Sequence, residues 1–427
     1  MKLHEQSSNY MRLMIETTLL TIRRALGAIL LFSSLAHSAT VPPEYFGLHI
    51  HRADSSTAWP QARFGSWRLW DAYVQWTHLQ PEKGKWEFQR LDRYVKLAAA
   101  NHVSLLLPLG LSPGWASSRP GEHSSYGEGR AAEPKSMDDW RTYVRTVAWR
   151  YKGKINAYEI WNEPNDKAFF SGSTTKLVEL TCEAYSILKA TDPNIVVVSP
   201  AYTGAQNIGK LETFLAYGGK RCIDVVAYHL YVTPSTPEAI PPLVQQIQQA
   251  MKRQDVGQLP LWNTETGWFI ENSDGTPVEK MSNYWLRVSA EQSASFVARS
   301  FLLGSASGVE RFYWYSWDSK LFGLIEPTAK SIKSGGLALD IVAKWMIGNP
   351  QPVCAETNSV WHCALFSKQD ERHFVVWSTE IPTLFTAPIG WRIADVERAD
   401  GRAERLQSSK DVVVDDLPRQ LILTPIK

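Results

Sequence analysis

The sequence has little net charge and few cysteines, and each shortage excludes a class of protein. Its 427 residues carry 45 basic and 43 acidic side chains, so no large field attracts nucleic acid or an anionic membrane. The four cysteines contain no C-x-x-C pair and have no clustered histidines beside them, which excludes the usual zinc-site spacings. We therefore expect no nucleic acid partner, no metal and no cofactor.

Long apolar runs are also scarce, and the one at the N-terminus is too short to span a bilayer comfortably. The Arg23–Arg24 pair precedes an apolar run over 25–35, and Ala36–Ser38 supplies the small residues that a signal peptidase reads. We predict that residues 1–38 are a cleaved signal peptide, which places the mature chain outside a bacterial cell or in its periplasm, with no stable membrane insertion. An N-terminal anchor that stays uncleaved is the alternative.

The sequence does contain a regular alternation of short apolar runs and longer helical patterns. The helical patterns include 91–101, 138–151, 175–190 and 291–305. Alternation of this kind is typical of parallel strands joined by crossover helices. The runs predict strands at Tyr45–His51, Arg63–Trp70, Ser104–Leu109, Ala157–Trp161, Ile195–Ser199, Val225–Leu230, Leu259–Thr264 and Arg311–Trp317. Eight such units match a (β/α)8 TIM barrel, to which we assign residues 39–348.

The pattern changes after about Gly348. Strand-like runs with turn residues between them replace the helices, at Cys354–Ser367, His373–Trp377 and Asp411–Thr424. We predict a small all-β domain over 349–427, packed on the barrel as a structural cap. We also predict that Ser117–Pro134, rich in Gly, Ser and Glu, is a long mobile loop above the third strand.

The four cysteines allow three disulfide pairings in an exported chain. Cys354 with Cys363 could close a hairpin, and Cys182 with Cys222 could tie two barrel segments together. The sequence does not choose among the pairings, and free buried thiols are the alternative.

Two glutamates stand at predicted strand ends, where barrel enzymes keep their chemistry. Glu163 lies in Tyr158–Asn165 (YEIWNEPN) and Glu265 in Trp262–Trp268 (WNTETGW). A single glutamate at a strand end usually forms a salt bridge. Two of them across a barrel mouth, each beside Asn and Trp, supply the protonated and the ionised carboxyl that cleavage of a glycosidic bond needs.

The Trp161–Asn165 motif (WNEPN) and the second glutamate resemble the signature of clan A glycoside hydrolases. The resemblance implies that Glu163 is the general acid/base and Glu265 the nucleophile of a retaining mechanism. It also implies that Asn162 hydrogen-bonds the 2-hydroxyl of the sugar, that Arg68 lies beside the nucleophile and that Tyr231 hydrogen-bonds it. A surface pairing of Arg68 is the alternative reading.

By the same resemblance His229 lines the cleavage subsite and Trp317 forms its floor, although His229 could equally be a core histidine. His49, at the end of the first strand, is a further candidate for the cavity. We expect Glu159 to face inward in a barrel salt bridge rather than to act catalytically. The chain has 18 tryptophans, and we predict that several near strand ends are stacking platforms for sugars: Trp70, Trp76, Trp115, Trp268 and Trp314, with polar edges from Asn162 and Asn165.

Within the clan, the segment from Arg68 to Asp92, which includes the motif PEKGKW at 81–86, is similar to family 39. The resemblance implies an enzyme that acts on a polysaccharide or oligosaccharide, and the exopolysaccharide-associated bacterial branch suits the chain length and the export signal. Glu265–Trp268 departs from the xylosidases and iduronidases of that family, so the sugar is not carried over. We expect a monomer with an open groove and internal cleavage; a pocket closed by the Ser117–Pro134 loop, which would favour removal of end residues, is the alternative. A transglycosylase and a non-catalytic sugar-binding barrel are the alternatives to a hydrolase.

Overall fold

The computed structural model describes residues 40–277, 285–368 and 370–426, so the predicted signal peptide, residues 1–38, lies outside the described residues. A parallel sheet with the order β5-β4-β3-β2-β1-β11-β8-β7-β6 forms the centre of the fold. Its strands are β1 Phe46–His49, β2 Ser66–Arg68, β3 Ser104–Leu109, β4 Ala157–Ile160, β5 Val196–Val198, β6 Tyr202–Thr203, β7 Val226–His229, β8 Leu261–Thr266 and β11 Val309–Trp314.

The sheet closes on itself between β5 and β7. A parallel bridge joins Val198 to Val225, and the amide of Ser199 donates to the carbonyl of Val225. The short β6 pairs with β7, while the bridge from Asn162 to Ala201 links the end of β4 to this seam. The predicted (β/α)8 barrel is confirmed, with each of the eight predicted strands overlapping one observed strand.

Helices surround the sheet at the positions that the periodic patterns predict. They are α1 Trp76–Leu79, α2 Gln89–Ala100, α3 Met137–Arg150, α4 Thr174–Thr191, α5 Ile208–Ala216, α6 Ile240–Arg253, α7 Ser293–Ala306 and α8 Ser334–Met346. Short 3-10 turns stand at Pro43–Tyr45, Ala205–Asn207, Gly219–Arg221 and Pro237–Ala239. None of the helices in the described part combines the length and the apolar composition that crossing a bilayer requires.

The strands divide their side chains between two buried layers, because successive residues point to opposite faces. The larger layer lies between sheet and helices, and the smaller one fills the barrel. Gly47 shows how tight the barrel interior is: a Cβ atom there would lie 2.5 Å from the ring of Tyr313. The barrel is therefore a packed core, and open space occurs above it, at the carboxyl ends of the strands.

Two strand predictions are shifted along the chain, and the shift matters for the site. Strand β8 runs to Thr266 rather than to residue 264, and β11 ends at Trp314 rather than at residue 317. In β8 an extra residue interrupts the pairing with both neighbours, since Tyr228 pairs with Asn263 but His229 with Glu265. This bulge lets consecutive residues of β8 direct polar groups toward the same side of the barrel.

The tail consists of antiparallel strands, as predicted. A five-stranded sheet has the order β12-β13-β14-β18-β16, and β15 pairs with β17. Their bounds are β12 Val353–Thr357, β13 Val360–Lys368, β14 Glu371–Ser378, β15 Thr383–Thr386, β16 Trp391–Arg398, β17 Asp411–Val414 and β18 Arg419–Pro425; a further short pair, β9 Phe269–Ile270 and β10 Arg287–Val288, lies outside the barrel. The indole of Trp377 donates to Glu238 and that of Trp345 to Glu397, so side-chain hydrogen bonds join the tail sheets to the barrel.

The disulfide pairing that the sequence left open is Cys182 with Cys222 and Cys354 with Cys363. The first bond ties α4 to the turn before β7, and the second joins β12 to β13. Both pairs were among those considered from the sequence.

Candidate active site

A cavity of about 650 Å³ opens at the carboxyl ends of the barrel strands. Glu163 and Glu265 both line it, together with Asn162 and Tyr231. Aromatic rings form much of the remaining wall: Trp70, Tyr126, Phe169, Trp285, Tyr315 and Phe322. Its volume falls within the range of about 300–1,000 Å³ that is usual for ligand pockets.

Glu163 and Glu265 approach each other closely. One carboxylate oxygen of each, together with a ring nitrogen of His229, lies within 4.8 Å of the others. Inverting glycosidases hold their two carboxyl groups roughly 6.5–9.5 Å apart to admit a water, whereas retaining enzymes hold them about 5–5.5 Å apart. The short separation here matches the retaining arrangement.

The backbone at the end of β4 is unusual. Trp161 and Glu163 adopt left-handed φ values of 64° and 41°, a conformation that costs energy in residues other than glycine. Trp161 is buried and its indole donates to the carbonyl of Phe169. This anchored ring holds the strained turn that directs Glu163 into the cavity.

Glu265 receives two hydrogen bonds. Arg68 Nη1 donates to Oε2 over 2.9 Å, and the Tyr231 hydroxyl donates to Oε1 over 2.8 Å. Each donor favours the ionised carboxylate. The bulge in β8 allows Glu265 and its neighbour Thr264 to point inward together. The Thr264 hydroxyl donates a hydrogen bond to Glu159.

Arg68 is fully buried and divides its guanidinium among three partners. Besides Glu265, Nε contacts Glu159 Oε2 at 2.5 Å and Nη2 donates to Asn162 Oδ1 over 2.7 Å. Glu159 thus forms the predicted internal salt bridge. The contact with Asn162 turns the other amide atom, Nδ2, away from the arginine.

His229 connects the two glutamates from below. Its Nδ1 lies 2.8 Å from Glu163 Oε1, and its Nε2 lies 4.0 Å from Glu265 Oε2. Burial lowers the pKa of His229 to about 4, so the ring is neutral at neutral pH. A neutral ring shares a hydrogen bond with Glu163 without adding a charge that would ionise it.

The two glutamates hold their protons differently. Burial raises the pKa of Glu163 to about 7; Arg68 opposes the rise, while Asp166 and Asp71 add to it. Burial also raises the pKa of Glu265, but Arg68 and the Tyr231 hydroxyl oppose that rise. Since Glu265 has two direct donors and Glu163 contacts only a neutral ring, Glu265 ionises first and Glu163 retains the proton.

The predicted site residues fall into two groups. Glu163, Glu265, Asn162 and Tyr231 line the cavity, and the buried Arg68 and His229 touch them from behind. The second group lies elsewhere. His49 is buried with Nε2 3.0 Å from the carbonyl of Thr264, and it does not line the cavity.

Trp268, Trp314, Trp317 and Trp115, predicted to contact sugar, do not line this cavity. Trp268 and Trp314 have no exposed surface and stack on each other with ring centres 5.8 Å apart. Trp317 is 2% exposed and packs in the same core. Trp115 lies outside the cavity lining, with its indole donating to the carbonyl of Gln80. Of the suggested platforms, Trp70 lines the cavity, whereas Trp76 is buried against Tyr143.

The cavity residues that the sequence did not indicate include Asp71, Tyr126 and Tyr315. Trp314 ends β11 facing the helices, so the next residue, Tyr315, turns into the cavity. Strand alternation could have revealed this had the end of β11 been known. Tyr126 lies in the 117–134 loop, where no periodic pattern exists.

That loop was predicted to be mobile, but it is held by many hydrogen bonds. Arg119 binds Glu122, Glu133 and Ser171, and the hydroxyl of Ser117 donates to the carbonyl of Gly129. The Tyr126 hydroxyl in turn donates to Asp71. The loop therefore forms a wall of the cavity.

Within the described residues, Glu163, His229 and Glu265 are close enough together to be considered as metal ligands. The buried guanidinium of Arg68, 2.9 Å from Glu265, already supplies the positive charge at this point. A divalent cation would be repelled by it, and the donor set therefore fits an acid/base site better than a metal site.

Comparison with known proteins agrees with this geometry. The sequence model of the glycosyl hydrolases family 39 matches residues 53–284, more than half of the chain. The chain belongs to glycoside hydrolase family 39. This membership makes it a glycoside hydrolase and confirms the family resemblance found in the sequence.

Individual relatives are distant. Endo-1,4-beta-xylanase C of Paenibacillus barcinonensis is 24% identical over 211 residues, which cover 42% of this chain and only 18% of the relative. A family 39 glycoside hydrolase from Bacteroides cellulosilyticus WH2 has a TM-score of 0.69 at 17% identity, covering 90% of this chain and 81% of its own. A monomeric beta-xylosidase from Caulobacter crescentus CB15 has a TM-score of 0.63 at 16% identity, covering 91% and 98%. These structures share the fold.

The Arg68 network generates a stability prediction. Arg68→Met removes the one cation between Glu159 and Glu265, and an uncompensated buried charge costs about 3–5 kcal/mol. We expect chemical denaturation at pH 7 to show a loss of that size in the free energy of unfolding, with a smaller loss at pH 4 because protonation relieves the unpaired charge. Glu159→Gln, which keeps the cation beside Glu265, is the control and should lose less. Equal losses in the two variants, or no pH dependence, would contradict this account.

Proposed function

We propose that this family 39 enzyme cleaves O-glycosidic bonds of a polysaccharide with retention, by double displacement, with Glu163 as general acid/base and Glu265 as nucleophile. The supporting observation is the pair of carboxyl groups with oxygens within 4.8 Å and opposite hydrogen-bonding environments. The ionised member has a cation and a phenol beside it, and the protonated member has a neutral imidazole.

In the first step, a Glu265 oxygen attacks the anomeric carbon while the Glu163 proton moves to the departing glycosidic oxygen. The bond from the anomeric carbon to that oxygen breaks, and a glycosyl ester on Glu265 forms. The ester is neutral and Glu163 is now the ionised carboxylate, so Arg68 loses one of its two charged partners. Tyr231 and Arg68 hold the carboxylate in place for the attack.

In the second step, the ionised Glu163 takes a proton from water, and the water oxygen attacks the anomeric carbon. The ester bond breaks, Glu265 leaves as a carboxylate and Glu163 is again protonated. The pKa of about 7 at Glu163 suits both roles, because a group with a pKa near the working pH gives and takes protons readily.

For the substrate we propose an exopolysaccharide that the exported enzyme meets outside the cell or in the periplasm and cleaves internally. The N-terminal signal pattern supports export. The cavity has a volume of about 650 Å³, and its lining includes Trp70, Tyr126 and Gln246 of α6, which supports binding of more than one sugar unit. Two of the similar proteins are a xylanase and a xylosidase, which adds xylose-containing chains to the candidates.

Variants of the two glutamates test the assignment. Glu265→Gln should lower kcat on any cleaved glycan by at least about 10⁴-fold, because no covalent intermediate can form. Glu163→Gln should lose polysaccharide cleavage but still release an aryl group of low pKa, whose departure needs no proton. The control is Glu159→Gln, which alters the same network without touching the reacting atoms. Comparable loss on the activated aryl glycoside in both glutamate variants would refute the division of roles.

The pH profile gives a second test. Because Glu163 must be protonated in the free enzyme and its pKa is about 7, kcat/KM should fall above roughly pH 7, by about tenfold per pH unit. An acid limb should appear where Glu265 becomes protonated. In Glu163→Gln, assayed with the activated aryl glycoside, the alkaline limb should disappear. An alkaline limb that persists unchanged in this variant would assign it to another group.

Product analysis separates hydrolysis from transglycosylation. We expect a panel of bacterial exopolysaccharides and xylans, read by reducing-end release and product size, to include a polymer that shortens rapidly throughout its length with one new reducing end per cut. Early accumulation of monosaccharide would overturn internal cleavage. Products longer than the starting oligosaccharide, without net gain of reducing ends, would identify a transglycosylase instead.

A further inference from the structure

Asp71 is a third carboxylate in the cavity, and the double displacement does not use it. It lies three residues beyond Arg68 at the end of β2, in a left-handed conformation with φ of 56°. The Tyr126 hydroxyl donates to Asp71 Oδ1 and the Tyr315 hydroxyl donates to Oδ2, each over 2.7 Å. Three separate segments of the chain therefore converge to orient this one side chain.

The two phenols have only one proton each, and each gives it to Asp71. Their oxygens can then only accept hydrogen bonds from a ligand. Burial, followed by the charge of Asp71, raises the pKa of both Tyr126 and Tyr315, so both stay protonated and keep donating inward. Tyr231 is in the same position, because its proton goes to Glu265.

Five of the lining side chains thus offer acceptors to a ligand. We call this set the acceptor wall: the carboxylates of Asp71 and Glu265 and the phenol oxygens of Tyr126, Tyr231 and Tyr315. Amide side chains that can donate, such as Asn162, Gln206 and Gln246, also line the cavity and lie outside this set. The wall is consequently matched to ligand groups that carry protons.

The charges point the same way. The described residues that line the cavity include three carboxyl groups, those of Asp71, Glu163 and Glu265, but no lysine, arginine or histidine. Among the described residues, Arg68 is a cation in contact with Glu265, and all three of its nitrogen groups are engaged. Nothing on this wall can pair with a negatively charged ligand.

We propose that Asp71 determines specificity: the acceptor wall selects sugar units that present hydroxyl or ammonium groups and rejects uronic acids. A uronate carboxylate at this wall would face acceptor oxygens and like charge, which disfavours its binding when water is excluded. An amino sugar would instead gain a charge-assisted hydrogen bond to Asp71. The inference rests on the proposed function for its setting, and it narrows the substrate class to neutral or amino-sugar polymers.

Binding of three matched probes tests this without requiring turnover. Methyl β-D-glucoside, methyl β-D-glucosaminide and methyl β-D-glucuronide share ring and anomeric configuration but differ in charge. With the whole protein in ligand-observed NMR titrations at pH 7, we expect the glucosaminide to bind at least as tightly as the glucoside. We expect the glucuronide to bind at least about tenfold more weakly. Glucuronide binding equal to that of the glucoside, or no difference among the probes, would overturn the proposal.

Variants locate the cause. Asp71→Asn should reduce the difference in affinity between the glucoside and the glucuronide severalfold, and it should weaken binding of the glucosaminide. Asp255→Asn removes the same charge from a side chain that is 85% exposed and outside the cavity, and it should leave the three affinities unchanged. Tyr126→Phe keeps the ring beside Trp70 and the Asp71 charge, so rejection of the glucuronide should persist.

If Tyr126→Phe abolishes rejection as fully as Asp71→Asn does, the charge is not the determinant and the proposal fails. The proposal also fails if Asp71→Asn, shown to be folded by thermal denaturation, keeps the same difference in affinity between the glucoside and the glucuronide. Because these outcomes are affinities, they are distinguishable from failure of the proposed function, which the glutamate variants and product analysis report.

Discussion

One buried guanidinium organises this site. Arg68 has no exposed surface, and its three nitrogen groups contact Glu159, Glu265 and Asn162. A permanent charge in such a place persists only if carboxylates compensate for it, and the two carboxylates in turn need the cation. Because strands β2, β4 and β8 each contribute to the contact, the position of Glu265 is tied to the barrel itself. The nucleophile thus rests on rigid strands, although it operates in a cavity bounded by loops.

The charge balance around that cation separates the two glutamates. Arg68 directly contacts two carboxylates, Glu159 and Glu265, so no cation remains for Glu163, which meets a neutral His229 instead. Burial then keeps the proton on Glu163. Two identical side chains acquire opposite roles through their neighbours, and the difference arises from the count of cations rather than from the identity of the acids. Asp71 adds a second ionised carboxylate to the cavity beside Glu265, so a ligand there also meets more acceptors than cations.

The aromatic residues divide in a similar way between support and contact. Trp161, Trp268 and Trp314 are buried and act as packing beneath the site, whereas Trp70, Tyr126 and Tyr315 reach the cavity. Abundance of tryptophan near strand ends indicated a sugar-binding enzyme, but it did not distinguish these groups. Whether a side chain faces the cavity or the helices depends on the residue at which its strand ends and on any bulge in that strand. Strand β11 ends at Trp314, three residues earlier than its apolar run indicates. Tyr315 therefore lines the cavity, and Trp317, which was expected there, does not.

The sequence by itself determined the barrel class, the order of its strands and helices, the β-rich tail and the two glutamates, because these depend on hydrophobic periodicity and on a short motif at consecutive positions. It also indicated Arg68, Asn162, His229 and Tyr231 through family resemblance. Only the tertiary structure decided the disulfide pairing, the bulge in β8, the closure of the 117–134 loop and the meeting of Asp71 with two tyrosines. Those features join residues far apart in the chain, and contacts of that kind follow from the closure of the barrel and the phase of each strand, which local patterns do not specify.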